Sequence, residues 1–264
     1  MSIYEYRPIL IYCVCLAAVF GAVMGSFLNC AAYRMAHGES FLKGRSRCPK
    51  CGHVLGPLEL IPVISWVLLK GRCKGCGEKI SVRYPVTEVF FAAVTVICLI
   101  RFDLTILCLR NYIFLCCLFG LSLTDLESMI IPDGFHIVML LAWAASLPFM
   151  QNPAAFAGKR LIMAVGFGGA ILLVSIALDK ALGKESLGGG DIKLIAVSTL
   201  YLGAAGMLFS LILSCVAGLV YAAASGSLRN GKAFPFGPFI AGACGCMCLF
   251  GDPLVNWYLG LLGI

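Results

Sequence analysis

Charge is scarce in this chain: only 12% of its 264 residues are Asp, Glu, Lys or Arg, about half the share of a soluble domain. Hydrophobic residues make up 61% and the mean hydropathy is +0.96. No soluble core could enclose that much apolar surface. An ordinary cytosolic enzyme is therefore excluded, and with it a disordered chain or a secreted disulfide scaffold. The composition is that of an integral membrane protein. Histidine is rarer still, with His37, His53 and His136 the full complement, and no Ser-His-Asp or Cys-His set emerges from the sequence. The chain also lacks a glycine-rich nucleotide fingerprint of the soluble type and the inverted repeats common in transporters.

What charge there is lies mostly in one stretch. Ten of the 20 basic residues fall between Arg34 and Arg83, against only Glu39, Glu59 and Glu78. A basic loop of this size can serve nucleic acid. This one flanks apolar spans and has no interleaved aromatics, which suits a cytoplasmic loop obeying the positive-inside rule. The expected surroundings are a lipid bilayer and no nucleic acid.

Apolar runs occur at 9–32, 86–100, 104–124, 135–150 and 161–178. The run at 192–224 is too long for one span and contains Gly203 and Gly206, so it reads as two. A last run starts near Phe239 and is interrupted at Asp252-Pro253. The expected fold is all-α and polytopic, with about eight transmembrane helices, seven being the alternative. The first run is followed, not preceded, by the positive cluster, so it is expected to be an anchor with its N-terminus outside. That orientation puts fifteen basic residues inside, Lys180, Lys184, Lys193, Arg229 and Lys232 among them, and five outside. Residues 1–33 then form the first transmembrane helix, 34–84 a cytoplasmic loop domain and 85–264 the membrane core. The turns near 125–134 and 179–191 face the cytoplasm.

Of the 15 cysteines, four occur as Cys48-Pro-Lys-Cys51-Gly and Cys73-Lys-Gly-Cys76-Gly, with 21 residues between the pairs. A two-residue gap lets two thiolates reach one tetrahedral ion, and two such knuckles form a four-cysteine zinc site. The glycine after each pair frees N–H groups to approach the sulfurs. Two disulfides are the other reading, which a reducing cytoplasm disfavours. A closed four-ligand site leaves no position for catalysis, so the zinc is expected to be structural. His53, beside Cys51, is a stray candidate ligand. The remaining eleven cysteines sit in apolar runs; Cys244, Cys246 and Cys248 do not share a helix face and read as packing residues.

Among 13 acidic residues, Glu5, Asp103, Asp252 and the loop acids read as solvated, and Glu88 as favoured by a helix dipole, with a role beside the basic loop as its other reading. Asp125 closes one apolar run, and Asp191 opens another after Gly188-Gly-Gly. Both fall on the cytoplasmic side of the bilayer edge, where a carboxyl is costly and marks a functional candidate. Two adjacent carboxyls share a proton, so one can activate water while the other polarises a carbonyl. The glycines before Asp191 would let an extended substrate backbone approach. The alternative is that both merely cap helices, a role Asp133 after Pro132 fits better. His136 reads as interfacial.

At these motifs the chain resembles the type IV prepilin peptidases, bacterial leader peptidases and N-methyltransferases among the membrane aspartic proteases with a Gly-x-Gly-Asp motif. The likeness runs through Gly25-Ser-Phe-Leu-Asn29, Tyr33-Arg34, both cysteine pairs, Ile61-Pro-Val-Ile-Ser-Trp66, Leu69-Lys-Gly-Arg-Cys73 and Ile80-Ser-Val-Arg-Tyr-Pro-Val-Thr-Glu88. It continues in Thr124-Asp125-Leu-Glu, Ile131-Pro-Asp133, Gly188-Gly-Gly-Asp191-Ile-Lys193 and Phe234-Pro-Phe-Gly-Pro-Phe239. It implies that Asp125 and Asp191 are the catalytic aspartates, and that Cys48, Cys51, Cys73 and Cys76 bind zinc in a loop the family links to methylation. It also implies a prepilin or pseudopilin substrate, cut at the cytoplasmic face of the bacterial inner membrane after a glycine. The new N-terminus would be methylated from S-adenosylmethionine. Ala36, Glu59 and Ser198 depart from the family pattern; the first two belong to the part tied to methylation. A peptidase without methyl transfer, or a transporter moving protons or cations through the aspartates, are the other functions such a sequence allows.

Overall fold

The computed structural model describes residues 7–40, 44–183, 187–226 and 234–261; Glu5, Lys43, Lys184, Arg229 and Lys232 lie outside the described residues. The elements are α1 (Arg7–Ala36), a short α2 (Ile64–Leu68), α3 (Arg83–Phe102), α4 (Ile106–Ser128), α5 (Asp133–Ser146), α6 (Pro153–Leu182), α7 (Gly189–Ala224), α8 (Gly237–Phe250) and α9 (Asp252–Leu261). Proline in the first turn starts α6 and α8, where its missing N–H costs nothing. Gly183 ends α6 in the left-handed region, φ 67°, as a C-terminal glycine does.

α1, α3, α4, α6 and α7 are each long and apolar enough to cross a membrane. α8 with α9, bent by 81° at their junction, makes a sixth if the two are one span. α5, at 14 residues, is shorter and runs on through a 3-10 turn to Phe149. Within the 36 residues of α7, Gly203 breaks the helix with φ 72° and ψ 176°. Five helices, or six with α8 and α9 as one span, meet that test among the described residues, against the eight expected from the sequence. Gly206 makes no break: it is helical and packs against its neighbour Leu202. A side chain at Gly203 would run into the Arg160 guanidinium.

The chain forms two compact units, Met1–Cys108 and Leu109–Ile264. In the first, α1 packs along α3. Gly21 and Gly25 bring the backbones together: a Cβ on Gly21 would lie 2.8 Å from the Ala92 Cα, and one on Gly25 3.2 Å from the Glu88 Cα. Small residues four apart are the usual device for close helix contact in lipid, where no hydrophobic force draws helices together. Asn29 seals the contact by donating to the Gly25 carbonyl at 3.2 Å and to the Thr87 hydroxyl.

In the second unit α7 is the hub, with α5, α6 and α8 packed on it. Its Tyr201 stacks on Phe114 of α4 at 4.1 Å and donates its hydroxyl to the Met139 carbonyl of α5 at 2.6 Å. Leu194, Met207, Ile240 and Cys244 are fully buried around it. Of the cysteine string on α8, Cys244 is buried and Cys246 exposed, the divergence that a two-residue step on a helix dictates.

Candidate active site and metal centre

The two cysteine knuckles in the first unit repeat one geometry. Arg47 bridges to Val54 around the first pair, and Arg72 to Lys79 around the second. The N–H of Cys48 donates to the His53 carbonyl at 2.9 Å, and that of Cys73 to the Glu78 carbonyl at 2.8 Å. Gly52 and Gly77 each take φ 73°, the region where a Cβ is penalised. Their N–H groups reach the carbonyls of Cys48 and Cys73 at 2.9 Å. These glycines therefore turn the chain. The N–H groups aimed at sulfur come from other residues: Gly75 donates to Cys73 Sγ at 3.4 Å, and those of Cys51 and Lys50 draw the Cys48 thiol pKa down to about 7.

The four Sγ atoms lie within 4.8 Å of one another, at 4.0 Å for Cys48–Cys76 and 3.9 Å for Cys51–Cys73. All four are free thiols, so the disulfide alternative does not hold, and the cluster could hold a metal ion. His53 is not a ligand. Its Nε2 lies 3.2 Å from both carboxylate oxygens of Glu59. Glu59 in turn accepts the Gly56 N–H at 2.8 Å. That bond, with His53 and Lys74 nearby, holds its carboxyl below the usual range. Glu59 is thus not the solvated loop acid expected. Nor is Glu88 a first-turn acid served by the dipole: it lies beyond the first turn of α3, is 6% exposed, and accepts the Val63 N–H at 2.7 Å.

The aspartates lie in the second unit. Asp125, in the last turns of α4, is 5% exposed. At that end the helix dipole repels a carboxylate, so capping does not account for it. Its Oδ2 accepts the Gly237 N–H, at the start of α8, at 3.1 Å. A Cβ on Gly237 would lie 2.7 Å from the same oxygen and 3.1 Å from Ile131 Cδ1. Asp191 stands in the first turn of α7, whose N-cap is Gly188 and makes no side-chain cap bond. Asp191 Oδ1 is buried without a hydrogen-bond partner among the described residues.

Ile131 is the link between the two. Its Cβ lies 3.0 Å from where a Gly190 side chain would begin, so one isoleucine touches the glycines beside both aspartates. Gly190 is therefore glycine for close packing on Ile131, whereas a Cβ on Gly189 would meet nothing.

One other expectation needs correction. Asp133 makes no cap bond; it pairs with Lys193 of α7 at 2.8 Å, both side chains exposed. His136, at the start of α5, is 5% exposed, with Nδ1 3.8 Å from Asp133 Oδ1 and no hydrogen-bond partner for its ring nitrogens among the described residues. Sequence reasoning singled out Gly237 and Ile131 only as parts of a resemblance. The local signal was a Gly-Pro helix start after an aromatic run, which says nothing about what its N–H meets.

Residues 19–102 match the bacterial peptidase A24 N-terminal domain, and residues 112–223 the type IV leader peptidase family. A prepilin leader peptidase/N-methyltransferase of Bacillus subtilis (strain 168) is 33% identical over 91% of this chain and 96% of its own. Proteins of the same name from Aeromonas salmonicida (strain A449) and Dichelobacter nodosus are 31% and 32% identical, over 94% and 88% of this chain and 94% and 90% of theirs. No solved structure matches. An apolar helical chain with two knuckles ahead of an aspartate pair, alike to these proteins along nearly its whole length, belongs to the type IV leader peptidase family.

Proposed function

We propose that this chain is a membrane aspartic endopeptidase that removes the leader of prepilins or pseudopilins and methylates the new N-terminal residue from S-adenosylmethionine. Asp125 and Asp191 are its catalytic residues. The observation that carries the reading is the Ile131 wedge: it packs on Gly190, next to Asp191, and on Gly237, whose N–H is held by Asp125. Two carboxyls brought together in this way hold one proton between them.

The carboxylate member takes a proton from water as the water oxygen attacks the scissile carbonyl. The protonated member donates to the carbonyl oxygen, which becomes the second hydroxyl of a tetrahedral diol. When that diol collapses, the C–N electron pair goes to nitrogen, which takes a proton from the pair, and the dyad is left with one proton again. The uncovered edge at Gly189 gives an extended substrate room to approach. S-Adenosylmethionine, when bound, would supply the methyl group that the amine of the new N-terminus takes up as it releases a proton.

Cys48, Cys51, Cys73 and Cys76 hold zinc. A tetrahedron of sulfurs around zinc has edges of about 3.8 Å, close to the spacings of these thiols, and with four protein ligands the metal closes the loop without supplying chemistry. By the positive-inside rule, the N-terminus is outside, and the zinc loop and active site face the cytoplasm.

The test uses the intact protein in membranes with a precursor carrying a basic leader and an apolar helix, read by intact mass. Asp125→Asn and Asp191→Asn should each abolish cleavage while the protein remains inserted. Near wild-type cleavage by either variant refutes the dyad. The mass of the cleaved product, with or without one added methyl group, decides the second activity.

A further inference from the structure

Cys98 and Cys108 stand ten positions apart, one on each side of the turn between α3 and α4, and each sulfur lies against the other's backbone. Cys98 Sγ is 3.9 Å from the Cys108 carbonyl oxygen, and Cys108 Sγ is 3.8 Å from that of Cys98. Both are thiols in the structure. The turn between them is held by its own hydrogen bonds. The Asp103 N–H donates to the Leu99 carbonyl at 2.9 Å, and the Asp103 carboxylate accepts the Leu104 N–H at 2.7 Å. The Thr105 hydroxyl donates to the Phe102 carbonyl at 2.7 Å and accepts the Cys108 N–H at 3.2 Å. These bonds fix where α4 begins, and so where Cys108 faces Cys98. Two thiols that reach each other's carbonyls stand side by side, and rotation about χ1 is the motion that turns each sulfur toward the other.

The pair is not a second metal site. A structural zinc takes four ligands, and among the described residues only Cys48, Cys51, Cys73 and Cys76 gather as a group that could hold an ion. Two adjacent thiols without further ligands pack as small apolar groups in a reducing compartment and join in an oxidising one. Their compartment follows from their place in the chain. α3 starts at the basic loop and is long and apolar enough to cross the bilayer, so its far end lies on the face opposite that loop. Cys98 is fully buried and Cys108 half-buried, which makes Cys108 the thiol that an oxidant meets and Cys98 the one that follows.

Resting on the orientation proposed above, with the basic loop in the cytoplasm, we propose that Cys98 and Cys108 form a disulfide that locks the α3–α4 turn on the extracytoplasmic face. The oxidant is a disulfide of that compartment. The Cys108 thiolate attacks one of its sulfurs, the oxidant's S–S bond breaks, and the other sulfur leaves with the electron pair. Cys98 then gives up its proton and attacks Cys108 in the mixed disulfide, releasing the second sulfur. One S–S bond forms as one breaks: the cysteines lose two electrons and two protons, and the oxidant gains them as two thiols. The cysteine knuckles, whose thiols are as close, face the reducing side and stay thiols.

The test takes the intact protein from cells quenched in acid and alkylated before any reductant is added. Trypsin cuts after Arg83, Arg101 and Arg110, which puts the two cysteines on separate peptides. In most molecules these should appear as one species, lighter by two hydrogens than the two free peptides together, and should part on reduction. Leu104→Cys in a Cys98→Ser, Cys108→Ser background reads the orientation separately. Leu104 is 68% exposed, and its replacement should react with a membrane-impermeant maleimide added to spheroplasts. If both peptides are alkylated without reduction while Leu104→Cys is labelled from outside, the disulfide is refuted and the orientation stands. If Leu104→Cys is labelled only after the membrane is opened, the orientation fails and this site fails with it.

Discussion

The Gly237 N–H donates to Oδ2 of Asp125 across 112 positions of sequence, and the same glycine leaves no room for a side chain. An added Cβ would stand 2.7 Å from that oxygen, well inside van der Waals contact. Gly237→Ala should therefore push the Asp125 carboxyl away from its donor. Losing one aligned donor at a reacting group costs about a hundredfold in rate, and a loss of that order in kcat/KM for leader cleavage is expected. Gly242→Ala, on the same helix where a Cβ meets nothing, is the control and should cleave normally. Equal cleavage by the two variants would remove Gly237 from the site.

The Asp133–Lys193 pair flanks the same site and makes a contrast. Its side chains are 64% and 56% exposed, and such pairs are worth less than about 1 kcal/mol. Lys193→Met should change cleavage by no more than about twofold and leave thermal stability nearly unmoved. A larger fall in kcat with unchanged KM would mean that Lys193 acts on the reacting groups.

Much of this was legible in the residues themselves. The knuckles could be read because their ligand spacing is local: two cysteines on one turn are placed by a few dihedral angles, and the glycine after each pair announces the turn. The spans could be read because lipid demands long apolar helices, and Gly203 could be suspected from length alone. The contacts made by Ile131, Gly237 and Glu88 could not. Each joins segments 25 or more residues apart, and nothing in an isoleucine or a glycine states which distant backbone it will meet. Glu88 shows the same limit from the other side. Its place near the start of a helix suggested a dipole effect, while its carboxylate is in fact committed to Val63.

Metal removal should act on the first unit. The four thiols belong to a loop whose described residues form only two isolated bridges, a 3-10 turn and the short α2, and a site of this kind supplies folding free energy through the metal. Cys51→Ser with Cys73→Ser should abolish zinc retention and expose the loop to protease. Methylation should fall by at least about tenfold and cleavage by no more than about threefold. Parallel loss of both activities would show that the loop also serves the aspartates.

Glu59 makes the loop sensitive to acid in a defined sense. Its carboxylate accepts the Gly56 N–H and meets His53, and these hold its pKa in the folded protein below the unfolded value, which is about 4.3. A depressed carboxyl stabilises the fold fully above the unfolded pKa, and that contribution disappears as pH falls through the lower, folded one. Hydrogen exchange at the Gly56 amide, corrected for intrinsic rate, should show level protection from neutrality down to about pH 5 and a decline below about pH 4. Glu59→Gln can still accept the N–H but cannot titrate, so its protection should stay level across the same range. A decline of equal size in that variant would assign the acid sensitivity to another group.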